Sequence, residues 1–552
     1  MFVVFRGIVA DPWLIGLLIV SAVLFSWQLA WGLPNGNSSW AADAIGPVTS
    51  LGIVYRSFAE WNSGWYYFKY PLGYPFLLFL VTSPYLAWQY VSGAWTSPAT
   101  EYPYGFADPE HALFVMAMIG RGLNVLFALG VVAVTYGIGR RLLGLWPARV
   151  GAFLVATAYP VIYYAHTTNL DIGYLFWLLL ALYAAIVARD SDRWLPWATL
   201  GAAAAMAVSS KEQGFAFLLP LPVMALAGRV RARGLAEIWS RPALAMAGSA
   251  VAVVLLANNI LFNPMGFVGR IAFLLGHPLE PVSVRLAPVE FALWKGAKEW
   301  VYVRQLWDGL ESTLGAPAVC LSLVGVGLAM ARRRTAALWL LIPSLSQYYV
   351  SLRGLDLITV RYLLPISVVL ALLAAAALVE SYRWWPSARW RASVVAVSLA
   401  VCALAAGRAL ETLWLFETDA RYQAERWMET HAAPDSAVEY YQKDTYLPRF
   451  RGSLHGRRIP IAERTVAGLA RRDPAYIVLS SASRKSIAHI WNPDWRETRE
   501  LLQPIPEAAE LLEKLEGGDL GYRQVASFSQ HPVTLRLRIT SLAPEIQIYA
   551  RQ

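Results

Sequence analysis

The sequence predicts an α-helical polytopic membrane protein, about eleven transmembrane helices, followed by a C-terminal soluble α/β domain. Three observations predict its class. The chain is 57% apolar and only 15% charged, whereas soluble domains average about 45–50% and about 25%. The apolar excess is gathered into runs long enough to cross a bilayer, and ordinary charge density returns only at about residue 411.

The runs are Trp13–Trp31, Leu113–Ile138, Ile172–Ala188, Ala243–Phe262, Leu314–Ala331, Tyr362–Val379 and Ala392–Ala406. A spanning helix needs roughly 20 mostly apolar residues, and several of these reach that length almost without charge. No small-residue cleavage site follows Trp31, so the first run reads as an uncleaved span.

Arginine sets the topology. It recurs at Arg140, Arg141 and Arg149, at Arg189 and Arg193, and at Arg229, Arg231, Arg233 and Arg241. It returns at Arg332–Arg334 and at Arg383, Arg389 and Arg391. Positive loops face the cytoplasm. After 13–31, all of these do so if spans run 112–138, 149–165, 172–188, 196–209, 214–228, 243–262, 312–331, 335–350, 362–380 and 392–410. Tyr74–Val91 would invert that order if it crossed. It is short and carries Pro75 and Pro84, so it is expected to be re-entrant or to lie in the outer leaflet.

The transmembrane domain is therefore 1–410, with outer loops 32–111 and 263–310, and the soluble domain is 411–552 outside the membrane. Within the second loop, Phe291–Lys295, Trp300 and Trp307 suit either a helix lying in the interface or an ordinary Trp anchor belt. In the tail, Ala437–Tyr441, Tyr476–Leu479, Val533–Ile539 and Glu545–Tyr549 read as strands. Ala420–Thr430 and Ala508–Leu515 read as helices, and Gly517-Gly518 as a turn.

The net charge of +10 sits at the ends of apolar segments, which disfavours nucleic acid as a partner. Cys320 and Cys402 both lie in apolar runs, and no metal-ligand spacing or cofactor motif is visible. Neither a metal nor a cofactor is expected.

Polar residues beside spans are the informative ones. Asp43 follows the first span, and Asp171 closes His166-Thr-Thr-Asn169-Leu-Asp171 directly before another. Each can cap a helix as well as serve as a base. Lys211-Glu212 sits between two spans and can be an internal ion pair. Arg121 lies deep in an apolar run and can snorkel. Arg361 opens a span, with Arg353 and Asp356 just before it. Acids and fixed cations at one face suit group transfer from a membrane-anchored phosphate donor, the cations holding the leaving phosphate. A non-catalytic transporter or a scaffold displaying the tail is the alternative, although transporters bind at the midplane.

The order of these motifs resembles the GT-C class of membrane glycosyltransferases. More closely it resembles the superfamily of protein O-mannosyltransferases and lipid A aminoarabinose transferases, in its family 39-like form. The residues that carry the resemblance are Asp43, Lys69-Tyr70-Pro71-Leu72-Gly73-Tyr74-Pro75, Arg121-Gly-Leu-Asn124, Tyr136-Gly-Ile-Gly139, Asp171, Lys211-Glu-x-Gly214 and Arg361-Tyr-Leu-Leu-Pro365. The tail adds Asp473-Pro-x-Tyr-Ile-Val478 and Pro544-Glu-Ile-x-Ile-Tyr549.

The resemblance implies an inverting hexosyl or pentosyl transfer from a polyprenyl-monophosphate sugar to an acceptor hydroxyl at the outer face of the plasma membrane. It implies Asp43 as base, Asp171 assisting, and Arg121, Lys211 and Arg361 on the donor phosphate. Lys69, Tyr70, His166, Asn169 and Glu212 are candidates for the substrate pocket. Family members with protein acceptors usually carry an Asp-Glu pair where Asp43 is followed by Ala44. The acceptor is therefore left open among lipid, glycan and protein.

Overall fold

The computed structural model describes residues 11–59, 66–67, 69–275, 299–355, 358–384, 386–450, 454–491 and 502–552. The chain forms two compact units. The first comprises 1–29, 44–412 and 534–538; the second comprises 30–43, 413–533 and 539–552.

The first unit is helical, as the apolar runs require, and the protein is a multi-pass membrane protein. Among the described residues, five segments are long and apolar enough to cross a membrane: Pro109–Leu142, Asp171–Arg189, Glu212–Arg233, Val360–Trp384 and Ala388–His431. Two bent pairs raise the number to seven. Leu145–Ala156 and Tyr159–Ala165 meet at 59°, where Pro160 in the first turn of the second helix interrupts the ladder. Trp300–Leu314 and Ala316–Arg332 meet at 111° across Gly315, whose φ of +84° suits glycine. Pro12–Ser26, Arg241–Ala257 and Pro264–Leu274 are shorter apolar helices. The expected count of about eleven is thus not confirmed among the described residues, where several apolar helices are short or bent. Tyr74–Val91 lies in one unbroken helix, Gly73–Val91, that is not among the five.

Close packing is set by small residues. A Cβ on Gly73 would meet the Ser209 carbonyl oxygen at 2.7 Å, so only glycine lets the helix start at Gly73 approach the end of Trp194–Ser210. At the other end of the bundle, Asp11 caps Pro12–Ser26 and takes a paired contact from Arg149, with Nη2 at 2.9 Å and Nε at 3.1 Å. The Tyr136 hydroxyl donates to the same carboxylate at 2.6 Å. Glu380 similarly gathers Arg332, Arg333 and Arg383.

The second unit holds a five-stranded sheet. Its strands are β1 (Ala437–Tyr440), β2 (His455–Arg458), β3 (Tyr476–Ser480), β6 (Tyr522–Phe528) and β7 (Ile546–Arg551). The order is β2-β1-β3-β7-β6. β1 runs parallel to β2 and β3, and β7 antiparallel to β3 and β6. Two further strands, β4 (His489–Trp491) and β5 (Leu502–Pro504), form a separate ribbon.

The period-two alternation of the strands supplies both cores. Val438, Val478, Ile546 and Ile548 face Ala424 and Met428 of the helix Ala420–His431. Ile477, Leu479 and Tyr549 face Leu469 and the Leu511 and Leu515 side chains of Pro506–Gly517. That helix ends at Gly518, whose φ is +81°, in the turn expected there.

The segment 30–43 is tied into this unit by buried polar contacts. Trp31 Nε1 donates to Asp419 at 2.9 Å, and Arg449 Nη1 to the Leu33 carbonyl at 2.7 Å. Arg421, fully buried, makes a two-pronged contact with Asp419 and also reaches the carbonyls of Trp40, Thr445 and Ser541.

One expected strand is absent. Residues 534–538 alternate in polarity like a strand, yet they belong to the first unit. Their backbone bonds go to side chains instead. Thr534 N–H donates to Glu411 at 3.0 Å, Arg538 N–H donates to the Tyr159 hydroxyl at 3.3 Å, and the Arg536 carbonyl accepts from Ser312 at 2.6 Å. Arg536 and Arg538 then pair with Glu311 and Asp308. The interface helix expected around Phe291–Lys295 lies outside the described residues. Downstream, the helix Glu299–Leu314 exposes Trp300 and Trp307 and buries Tyr302.

Candidate active site

The helix Trp194–Ser210 ends at Lys211, which leaves it in an extended conformation before the turn Glu212–Gly214. That break aims the ammonium sideways into the bundle. Its Nζ stands 2.5 Å from Oδ1 of Asp171, in the first turn of Asp171–Arg189. Both side chains are buried, at 6% and 3% exposure. Asp171 is therefore not the cap of its helix, the position Leu170 occupies. Two aromatic faces complete the surroundings of Lys211: Tyr362, with its centroid at 4.8 Å, and Tyr174 at 5.7 Å. Gly214 admits the Tyr174 ring, because a Cβ there would come within 2.6 Å of it.

Arg361 comes to the same place from the start of Val360–Trp384. Its Cζ lies 5.1 Å from the Tyr362 ring centroid, and Nη2 donates to the Tyr362 hydroxyl at 3.3 Å. The buried Tyr164 feels the charges of both Asp171 and Arg361. Three of the expected site residues, Asp171, Lys211 and Arg361, thus converge at one end of the bundle.

The loop that delivers Asp171 is held by Asn124. Its side-chain N–H groups donate to the carbonyls of Thr167 and Asn169, both at 2.7 Å. Its Oδ1 accepts from the Tyr74 hydroxyl at 2.8 Å. Asn169, expected in the pocket, is itself buried and serves this joint.

Arg121 and His166 form a second group. Arg121 is buried rather than snorkelling, and it donates to the Leu29 carbonyl at 2.5 Å. His166 lies against the carbonyls of Trp27 at 2.5 Å and Ile162 at 2.7 Å. Both therefore engage backbone just beyond Pro12–Ser26, where helix carbonyls need donors.

Lys211 and Glu212 are not partners of each other. Glu212 pairs with Arg270, which also donates to the Tyr67 carbonyl at 3.2 Å. Lys69 lies over the Tyr70 ring at 5.3 Å. Asp43 is exposed, has a φ of +61°, and is the last residue of the 30–43 segment of the second unit. Asp356 lies outside the described residues. Among the described residues, no group of three or more His, Cys, Asp or Glu could hold a metal.

Tyr74, Asn124 and Tyr362 stand in the sequence motifs with no sign there of what they touch, and Tyr174 and Arg270 stand in none of them. An asparagine inside an apolar helix is itself a signal, since such amides bond across helices.

Residues 115–262 match the family model for dolichyl-phosphate-mannose-protein mannosyltransferase. The resemblance to mannosyltransferase-like membrane glycosyltransferases is therefore borne out, over a stretch that includes Arg121, Asn124, Asp171 and Lys211. No curated protein matches the sequence.

Among solved structures, the chain is similar to ArnT from Cupriavidus metallidurans bound to undecaprenyl phosphate. The identity is 15%, 98% of each chain is covered, and the TM-score is 0.48. It is also similar to the Archaeoglobus fulgidus oligosaccharyltransferase AglB in complex with an inhibitory peptide and a dolichol-phosphate, at 11% identity and a TM-score of 0.44. That match covers 99% of this chain and 89% of the other. The S. cerevisiae protein O-mannosyltransferase complex bound to its sugar donor matches at 17% identity over 46% of this chain and 34% of that one, with a TM-score of 0.33.

Proposed function

We propose that this chain is a glycosyltransferase moving a hexosyl or pentosyl group from a polyprenyl-monophosphate donor to an acceptor hydroxyl at the extracytoplasmic face, with inversion. The observation that carries the reading is the buried Asp171–Lys211 pair with Arg361 beside the same Tyr362 ring. Ionisable groups buried among membrane helices are costly and mark functional sites.

In the proposed step the acceptor oxygen bonds to C1 of the sugar as the C1–O bond to phosphate breaks. The electron pair leaves with the lipid phosphate, and the acceptor proton passes to a carboxylate. Lys211 and Arg361 meet the charge growing on the phosphate, the kind of contact whose loss costs about 10²–10³ in rate. Asp171 fixes the position of Lys211 and assists at the donor sugar. Asp43 is the proposed base, on the strength of the resemblance and its exposed carboxylate. Arg121, bonded to backbone, is a secondary candidate for the phosphate, and Lys69, Tyr70 and Glu212 for the pocket.

The test adds a radiolabelled polyprenyl-phosphate sugar to the purified protein. Lys211→Gln and Arg361→Gln should each slow sugar release or transfer at least a hundredfold, and Asp43→Asn should abolish it. Undiminished turnover by Asp43→Asn removes Asp43 as the base. Undiminished turnover by both cation variants sinks the site assignment.

A further inference from the structure

The second unit contains a cleft of about 430 Å³ that plays no part in the proposed transfer step. From its lining, we propose that it binds a neutral, hydroxyl-rich ligand, a short sugar chain. The inference goes beyond the transfer reading and stands without it, since it rests on side chains of the second unit alone.

One wall is apolar. Tyr440 and Phe450 stack at 5.3 Å with planes 23° apart, and Pro448 and Leu454 extend that surface. The Phe450 ring packs against Gly456, where a Cβ would come within 2.6 Å of it. The carbon-rich faces of this wall suit the C–H faces of a pyranose.

The remaining lining is polar and of mixed sign. Asp444 is exposed and accepts from the Tyr440 hydroxyl. Arg457 is 64% exposed and has only a loose 3.7 Å contact with Glu463. The Asn35 amide nitrogen is buried at the cleft and finds no hydrogen-bond partner among the described residues. A buried donor left without an acceptor is costly, so a ligand oxygen there would be favoured.

The charge balance separates a sugar from an anion. Arg449 also lines the cleft, but both prongs of its guanidinium are spent on Glu425, at 2.6 and 2.7 Å. Asp444 then offsets Arg457. His455, also in the lining, stands beside Asp435 at 3.4 Å, so a phosphate would meet the Asp444 carboxylate and find one loosely held arginine; a hydroxyl-rich ligand can donate to Asp444 and accept from Asn35 and Arg457.

The experiment is saturation-transfer NMR on the full chain in lipid nanodiscs, which avoids sugar-headed detergent. Probes are α-mannobiose, maltose and N,N′-diacetylchitobiose, with inorganic phosphate as an anionic competitor and no donor lipid present. At least one disaccharide should receive saturation. Asp444→Ala, Arg457→Ala and Asn35→Leu should each weaken binding at least tenfold, and phosphate should not compete. Asp444 and Arg457 are exposed, so those variants test the cleft without disturbing the core. No transfer to any disaccharide overturns the proposal, as does transfer unchanged in the Asp444 and Arg457 variants or displaced by phosphate. Because no donor is present, loss of binding bears on the cleft alone and leaves the transfer reading to its own assay.

Discussion

Lys211 Nζ lies 2.5 Å from Asp171 Oδ1, and neither side chain has more than 6% of its surface exposed. The two residues stand at the ends of different helices, and packing rather than sequence brings them together. Removing one leaves the other charge buried and unmatched, which typically costs about 3–5 kcal/mol. Lys211→Met and Asp171→Asn should therefore each lower thermal stability clearly, and the double variant should lose less than the sum. A double-mutant cycle on melting curves checks this; strictly additive losses would show that the contact carries no coupling.

Asn124 should matter more than its single hydroxyl partner. Asn124→Ala orphans the carbonyls of Thr167 and Asn169 together with the Tyr74 hydroxyl. Each buried orphan costs about 1–3 kcal/mol. Tyr74→Phe removes only the donor of one bond and leaves a single orphan, the Asn124 Oδ1, so the expected order of melting temperatures, highest first, is wild type, Tyr74→Phe, Asn124→Ala. Transfer activity should fall in the same order, because the loop carrying Asp171 loosens.

Glycine substitutions separate close approach from helix propensity. A Cβ on Gly73 would meet the Ser209 backbone at 2.7 Å, whereas one on Gly248 meets nothing within 4 Å. Gly73→Ala should destabilise by about 1–3 kcal/mol through overpacking. Gly248→Ala, in the interior of Arg241–Ala257, should be neutral or stabilise by up to about 1 kcal/mol. Equal melting temperatures for the two variants would refute the packing argument.

In the second unit, Arg421 reaches Asp419, Trp40, Thr445 and Ser541 and lies 4.4 Å from the Trp40 ring centroid. Arg421→Lys cannot reproduce that fork. Both Arg421→Lys and Arg421→Met should make the unit sensitive to limited proteolysis, with fragment ends falling in 413–552. Protease resistance retained by Arg421→Lys would mean that charge alone suffices there.

The Asp11 contact makes a pH prediction. Arg149, with Tyr136 and the Trp13 N–H, holds the Asp11 carboxyl down at about 2 against an ordinary 3.8. A lowered folded-state pKa stabilises above the unfolded value and is lost as pH falls. The difference in melting temperature between wild type and Asp11→Asn should be full above pH 3.8 and shrink toward pH 2. A difference that stays constant over that range would mean Asp11 contributes by shape rather than by charge.

The sequence by itself determined the membrane class, the mixed α/β character of the tail, and the helix ends crowded with arginine. These follow from composition and local periodicity, which need no partner to be read. Its motifs also pointed to Asp171, Lys211 and Arg361, because charges at the span ends opposite the arginine-rich loops are few enough to stand out.

Only the tertiary structure decided who meets whom. Lys211 and Glu212 are neighbours in sequence, yet they pair with Asp171 and Arg270 respectively. Residues 534–538 have the pattern of a strand, yet their backbone is satisfied by Tyr159, Ser312 and Glu411. Arg121 and His166, polar enough to suggest a pocket, are held to backbone carbonyls near Pro12–Ser26. The reason is physical: a buried polar group takes whichever partner packing brings within hydrogen-bonding distance, and that proximity is set by how helices cross, not by their spacing along the chain.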